Sequence, residues 1–265
     1  MVSSYTYEWS SGMLCQHPRL LEIHRYTAKR LACRLDDLTG SGTKIIPAAP
    51  TTDPRLPRTN AVHDPQIVAL FRCGDTALVR IHRPPAPAVT RALQDLPTAR
   101  VIEPRDLLRL SHVNARLHGP IDHYFYLDPE RFCPCASDAV RQLTPEDRPL
   151  MAAFHTALPP HQRRHVAIDH PLVFGYVIQQ QLVAVASHLL FDEDHIAAAG
   201  VVTHPEFRRR GFGKAVSSAV VQWAVDREWI VEWGTNATNL GSLSIAHRLG
   251  FSEYATETEL QITAD

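Results

Sequence analysis

The stretch that most constrains this 265-residue chain is Val201-Val202-Thr203-His204-Pro205-Glu206-Phe207-Arg208-Arg209-Arg210-Gly211-Phe212-Gly213-Lys214. Before it, Ile196 to Thr203 is too apolar for an exposed edge and reads as a buried strand. After it, Val216, Val220, Trp223 and Ala224 recur at helical spacing, from Gly213 to about Arg227. A chain that turns from a strand into a helix leaves several main-chain N–H groups unpaired at the corner. Those donors and the positive end of the helix dipole make a place for an anion. Gly211 and Gly213 present no Cβ, so a ligand can come close to the backbone. Arg208, Arg209, Arg210 and Lys214 add positive charge. The residues alone point to a polyphosphate held mainly by backbone. The competing reading is a solvated basic turn whose glycines only shape a loop. The run is not a Walker loop, because Gly-Lys-Ser/Thr is absent, and it lacks the full dinucleotide fingerprint.

The elements around this corner define a unit that starts near Asp138. Ala139 to Leu143 reads as a strand, and Thr144-Pro145-Glu146-Asp147 as a helix entry with a capping hydroxyl and proline at the first helical position. That helix runs to about Ala157 and is broken by Pro159-Pro160. Residues 173–178 and 182–186 flank a glutamine turn and form a hairpin; Trp229 to Thr235 is a further strand. Asn239 opens a short helix that stops at Gly250, and Phe251 to Ile262 is the last strand. The order predicts an α/β chain with a mixed sheet and helices on both faces.

The N-terminal part is less informative. It predicts a helix over 18–38, a loop over 41–66, a hairpin from Ile67–Phe71 and Ala77–Ile81, helices over 87–96 and 104–117, and a strand from His123 to Leu127. Lys plus Arg number 27 against 28 Asp plus Glu, a net charge of -1, which argues against a nucleic-acid partner. No apolar run is long enough to span a membrane. The N-terminus is unlike a secretory signal, and five scattered cysteines fit a reducing compartment, so the expected location is cytoplasmic. Cys133-Pro134-Cys135 has the wrong spacing for zinc, and His161 with His165, i and i+4 if helical, finds no third ligand. No metal site is expected.

A second segment decides between the readings of the corner. Asn239-Leu240-Gly241-Ser242-Leu243-Ser244-Ile245-Ala246-His247-Arg248-Leu249-Gly250-Phe251 follows the next strand. Together the two segments resemble the GNAT superfamily of N-acyltransferases. That family's phosphate loop reads Val-x-Pro-x-x-Arg/Gln-x-x-Gly-x-Gly/Ala. Pro205, Arg208, Gly211 and Gly213 match it, with Thr203 in place of the usual Val. Asn239, Leu249, Gly250 and Phe251 match the later helix, which begins with Asn and ends in Leu-Gly-Phe. The resemblance covers about 138–265. It implies a GNAT-like acyl-CoA-binding fold there, with a second, smaller α/β accessory domain at 1–137, itself conceivable as a degenerate GNAT-like half.

The resemblance implies that amides of Arg209, Arg210, Gly211, Phe212, Gly213 and Lys214 cradle the pyrophosphate of acetyl-CoA, with Arg208 ordering the loop. The main chain of Val201 and Thr203 would pair with the pantetheine arm. Asn239 would bond that arm or merely cap its helix, and Ser242 joins the same set. The expected activity is transfer of acetyl from acetyl-CoA to a primary amine of a small molecule or exposed amino group, by direct attack. The alternative is a non-catalytic acyl-CoA-binding sensor or interaction module. The tyrosine that often protonates the leaving thiolate falls at Ala246 and is missing. Candidates for the base are Glu232, then His188, then Glu193, His195 and His204. Relatives often place two strands after Gly-Phe, whereas one fits here, so the N-terminal unit is expected to cover the open edge. A homodimer is one expected assembly.

Overall fold

A computed structural model describes residues 17–47, 66–81 and 87–264, and in it the β-rich runs of both halves join one mixed sheet. Its strands are β1 (Gly42–Pro47), β2 (Gln66–Cys73), β3 (Thr76–Ile81), β4 (Val113–Leu117), β5 (Asp122–Leu127), β6 (Val140–Gln142), β7 (Leu172–Ile178), β8 (Gln181–Phe191), β9 (Ile196–Thr203), β10 (Ile230–Asn236) and β11 (Phe251–Ala264). The helices are α1 (Leu20–Leu31), α2 (Leu35–Leu38), α3 (Pro87–Gln94), α4 (Pro104–Leu108), α5 (Arg148–Thr156), α6 (Pro160–Arg163), α7 (Phe212–Val225) and α8 (Leu240–Leu249). The strand order is β1-β3-β2-β11-β5-β10-β9-β8-β7-β6, with β4 paired to β11.

Alternation along each strand sorts the core into two faces. Val231 and Trp233 of β10 pack with Val216, Val220, Val221 and Ala224 of α7 and with Ala246 and Leu249 of α8. Ile230 faces the other way, with Ile23, Tyr26 and Leu31 of α1. Helix α5 lies on that second face, where Met151 and Phe154 meet Val173, Val185 and Val202. The β7–β8 turn is Gln179-Gln180, both at positive φ (46° and 64°), as a two-residue hairpin turn with matching twist requires.

The decisive pairing crosses the middle of the chain. β5 lies between β10 and β11 and runs antiparallel to both: Glu232 faces Tyr126, Gly234 faces Tyr124, and Phe251 faces Leu127. The strand missing after Gly-Phe is thus supplied by residues 122–127. Phe125 and Leu127 enter the core beneath α7 and α8, whereas Tyr126 enters the core beneath α1.

Four expectations need correction. The helix over 18–38 is two helices, α1 and α2, because Ala32 turns left-handed at φ 52° and ends the first. The loop over 41–66 is a strand at Gly42–Pro47, parallel to β3, because Ile45 and Ile46 each find apolar partners on a face of the sheet; residues 48–65 lie outside the described residues. The helix over 104–117 stops at Leu108, and His112 at φ 63° turns the chain into β4, which pairs with the end of β11. His161 and His165 do not share a helix face, because α6 ends at Arg163.

Gly250 shows how tightly the N-terminal half is locked on. It caps α8 at φ 98°, and a Cβ there would lie 2.0 Å from the carbonyl oxygen of Arg131, while Cys133 N–H donates to Leu249 O. Replacing Gly250 with Ala is expected to destabilise the fold by about 2–5 kcal/mol, the sum of a left-handed penalty and an overlap with backbone. Urea unfolding reads this directly, and an unchanged midpoint would contradict it.

Candidate active site

At the corner after β9, a short 3-10 turn (Pro205–Phe207) leads to Arg209 at φ 64° and Gly211 at φ 85°, and α7 begins. The first helical bond at its start runs from Ala215 N–H to Gly211 O. Among the described residues, no backbone or side-chain acceptor takes a hydrogen bond from the N–H groups of Arg209 to Lys214. Six consecutive donors therefore stand open at the positive end of a 14-residue helix. Gly211 faces open space and is needed for its φ, since a Cβ there meets nothing within 4 Å. Gly213 is needed for space: a Cβ would sit 2.7 Å from Thr203 Oγ1. Arg208 orders the loop. Its Nε donates to Thr203 O at 3.3 Å and its NH2 to Gln162 Oε1 at 3.2 Å. Arg210 turns back over the Phe207 ring, 5.4 Å from the centroid.

Beside the corner the sheet forks. β9 and β10 pair in parallel only from Ile230/Ile196 to Glu232/Ala198, while β9 stays on β8 as far as Thr203 and β10 stays on β5 as far as Asn236. Among the described residues, the edge of β9 facing β10 has no strand partner from Ala199 to Thr203. The fork opens on both faces of the sheet. Val201 and Thr203 point toward α7, where their side chains border Gly213. On the opposite face Gly200 admits the 164–170 loop, since a Cβ would lie 2.4 Å from His165 O.

Residues 137–251 match the model of the acetyltransferase (GNAT) family. They form a GNAT acetyltransferase domain. Similar solved structures include an acetyltransferase from the GNAT family of Novosphingobium aromaticivorans, 20% identical, covering 58% of this chain and 73% of that one at a TM-score of 0.44. Another, from Colwellia psychrerythraea, is 16% identical and covers 57% of each chain, less than two thirds of its length, at a TM-score of 0.48. An aminoglycoside N-acetyltransferase in complex with CoA is 21% identical and covers 43% of this chain and 92% of that one, at a TM-score of 0.35. No curated protein matches the chain.

Within the GNAT domain, Glu232 stands at the last β9–β10 pair, on the α1 face, and is 2% exposed. Its Oε2 accepts from Tyr126 at 2.7 Å and lies 3.8 Å from Arg30 NH1. Neither partner was foreseen in the sequence, because both come from the N-terminal half. The other base candidates lie elsewhere. His188 is fully buried on the α7 face, its Nε2 bonded to Val220 O at 2.8 Å. Glu193 is exposed and pairs with Lys29. His195 stacks on Trp229, and His204 Nδ1 accepts from Glu206 N–H. Asn239 Oδ1 accepts from Ser242 N–H, capping α8, and Ser242 Oγ accepts from Trp233 Nε1. Ala246 is fully buried, and the neighbouring His247 packs edge-on against Phe125. Among the described residues no group of three His, Cys, Asp or Glu is placed to hold a metal ion, and no helix is long and apolar enough to cross a membrane.

Burial lowers the pKa of His188 from 6.5 to about 4, so the ring is neutral in the fold at pH 7. The unfolded chain takes up a proton near 6.5, which the folded ring refuses until about 4. Stability from this residue is therefore full above pH 6.5 and is lost as pH falls toward 4, by about 3 kcal/mol. His188→Gln is expected to flatten that part of the stability–pH curve. An equally steep acid slope in the variant would contradict this.

Proposed function

We propose that this GNAT domain binds acetyl-CoA at the corner and passes its acetyl group to a primary amine on the α1 face of the fork. The observation that carries the reading is the row of open N–H groups from Arg209 to Lys214 beside unpaired β9 edge. Such donors suit a diphosphate, and the free edge suits an amide-bearing arm laid like a strand. Asn239 keeps its capping role and can reach the arm with its remaining amide donors.

The thioester supplies the acyl carbon. The amine nitrogen bonds to that carbon, the C–S bond breaks, and the thiol departs. Glu232 takes the proton that the amine must lose, because an alkylamine with pKa about 10.4 is almost wholly protonated near neutrality. That first proton passes on to solvent, and the second, shed by the nitrogen once the C–N bond has formed, ends on the thiolate, which at pKa about 8.5 leaves well even with Ala246 in place of a tyrosine. His188 is assigned a packing role, since its Nε2 is committed to α7 on the other face. A main-chain N–H at the free β9 edge is assigned to the developing oxyanion. No nucleic acid, membrane or metal enters the reading, and the chemistry needs only one copy of the chain.

The test pairs thermal shift with free-thiol release. Acetyl-CoA should raise the unfolding temperature, and thiol should appear with at least one member of an amine panel. A shift with no thiol release on any amine would favour a non-catalytic sensor, and no shift would remove the reading. Gly213→Ala is expected to weaken acetyl-CoA binding about tenfold or more, because the added methyl must displace Thr203 from the corner. Calorimetry with unchanged affinity would contradict it.

A further inference from the structure

One side-chain bond ties the corner to the loop that lies on the opposite face of the fork. Arg208, exposed just after the 3-10 turn, donates from Nε to Thr203 O at 3.3 Å and from Nη2 to Gln162 Oε1 at 3.2 Å. Gln162 belongs to α6, and its own carbonyl accepts from His165 N–H at 3.2 Å. His165 O in turn accepts from Ser187 Oγ at 3.4 Å, and Ser187 is the β8 residue paired with Gly200. His170 Nδ1 bonds the same hydroxyl at 2.7 Å. The loop is thereby pinned over Gly200, on the stretch of β9 that leaves β10. Its other side is rooted in α5, where His155 Nε2 bonds the carbonyl of the fully buried Val166 at 2.9 Å. Among the described residues, Arg208–Gln162 is the one side-chain hydrogen bond from residues 159–170 to the corner.

The chemistry of that bond is specific. A guanidinium paired with a carboxylate has its charge neutralised before any ligand arrives. Both acceptors of Arg208 are uncharged, a main-chain carbonyl and a side-chain amide. They fix the direction of the guanidinium and leave its positive charge for a diphosphate at the neighbouring N–H groups. Gln162 also faces the loop, because one closed turn separates it from the carbonyl that rests against Gly200. A ligand that fixes one end of this chain of bonds therefore fixes the other.

We infer that Gln162 is a positioning residue for the transfer. It holds Arg208 without neutralising it, and it joins the corner to the 164–170 loop, so that acetyl-CoA at the corner steadies the loop on the side of the fork where the amine arrives. The inference rests on the acyl-transfer reading above and adds to it a residue outside both the corner and the fork strands.

The experiment follows hydrogen exchange of the full chain, with and without saturating CoA, at the start of α7 and over residues 160–170. CoA is expected to slow exchange in both stretches, by about fivefold or more in the second. In Gln162→Leu, which removes the acceptor, CoA still slows the start of α7 but leaves 160–170 exchanging as in the free protein. Gln162→Glu keeps an acceptor, so protection of the loop returns at saturation, while CoA affinity falls about tenfold because the carboxylate neutralises Arg208. With the panel amine that releases thiol fastest, Gln162→Leu lowers kcat about tenfold and leaves KM for acetyl-CoA within about threefold. Urea midpoints matching the native protein show that both variants are folded. Protection of the α7 start without 160–170 in the native chain overturns the inference and leaves acetyl-CoA at the corner. Equal loop protection in Gln162→Leu, or a native kcat in that variant, does the same. Protection of neither stretch overturns the corner reading as well.

Discussion

Deleting residues 1–137 is expected to give a fragment with no cooperative unfolding transition, recovered mainly as aggregate. The reason lies in the centre of the sheet. β5 fills the place between β10 and β11, so its removal strips hydrogen-bonding partners from both strands and opens two long edges. It also takes Phe125, Tyr126 and Leu127 out of the core, each 1% exposed. Truncating one such side chain costs about 3–5 kcal/mol, so three together amount to roughly 10 kcal/mol, as much as a whole domain commonly has. A soluble fragment 138–265 with a sharp denaturation curve would show that the two halves are energetically separate.

Glu232→Gln is expected to cut turnover by about 10²–10⁴-fold at neutral pH, with the deficit shrinking as pH rises and more of the amine loses its proton unaided. Gln keeps an oxygen that can accept from Tyr126, so acetyl-CoA affinity at the distant corner should be unchanged. A variant whose pH–rate profile overlays that of the native protein would remove Glu232 from the chemistry.

The parts of this account that were legible in the sequence are those set by local rules. The β9 corner was written in glycines whose reasons differ, a left-handed φ at Gly211 and a close approach at Gly213, and both leave the same trace. The hairpin of β7 and β8 and the Gly250 stop were likewise local. What could not be read was long-range. Nothing in Asp122 to Leu127 says that this strand inserts between two strands more than a hundred residues later. For that reason Glu232 was visible as a candidate, while Tyr126 and Arg30 were not. His188 shows the converse limit. An apolar strand with one histidine is compatible with either face, and only the register against β9 and α7 places the ring under Val220. Strand β1 is hidden in the sequence because a run rich in Pro and Thr reads as loop, although Ile45 and Ile46 each pair with a buried neighbour.

A crystal structure of the full chain with CoA tests the central claim most directly. The account predicts diphosphate oxygens within hydrogen-bonding distance of main-chain N–H groups between Arg209 and Lys214, with the pantetheine arm along the free edge of β9. A CoA molecule bound elsewhere, with those six N–H groups turned onto acceptors of the protein itself, would contradict it.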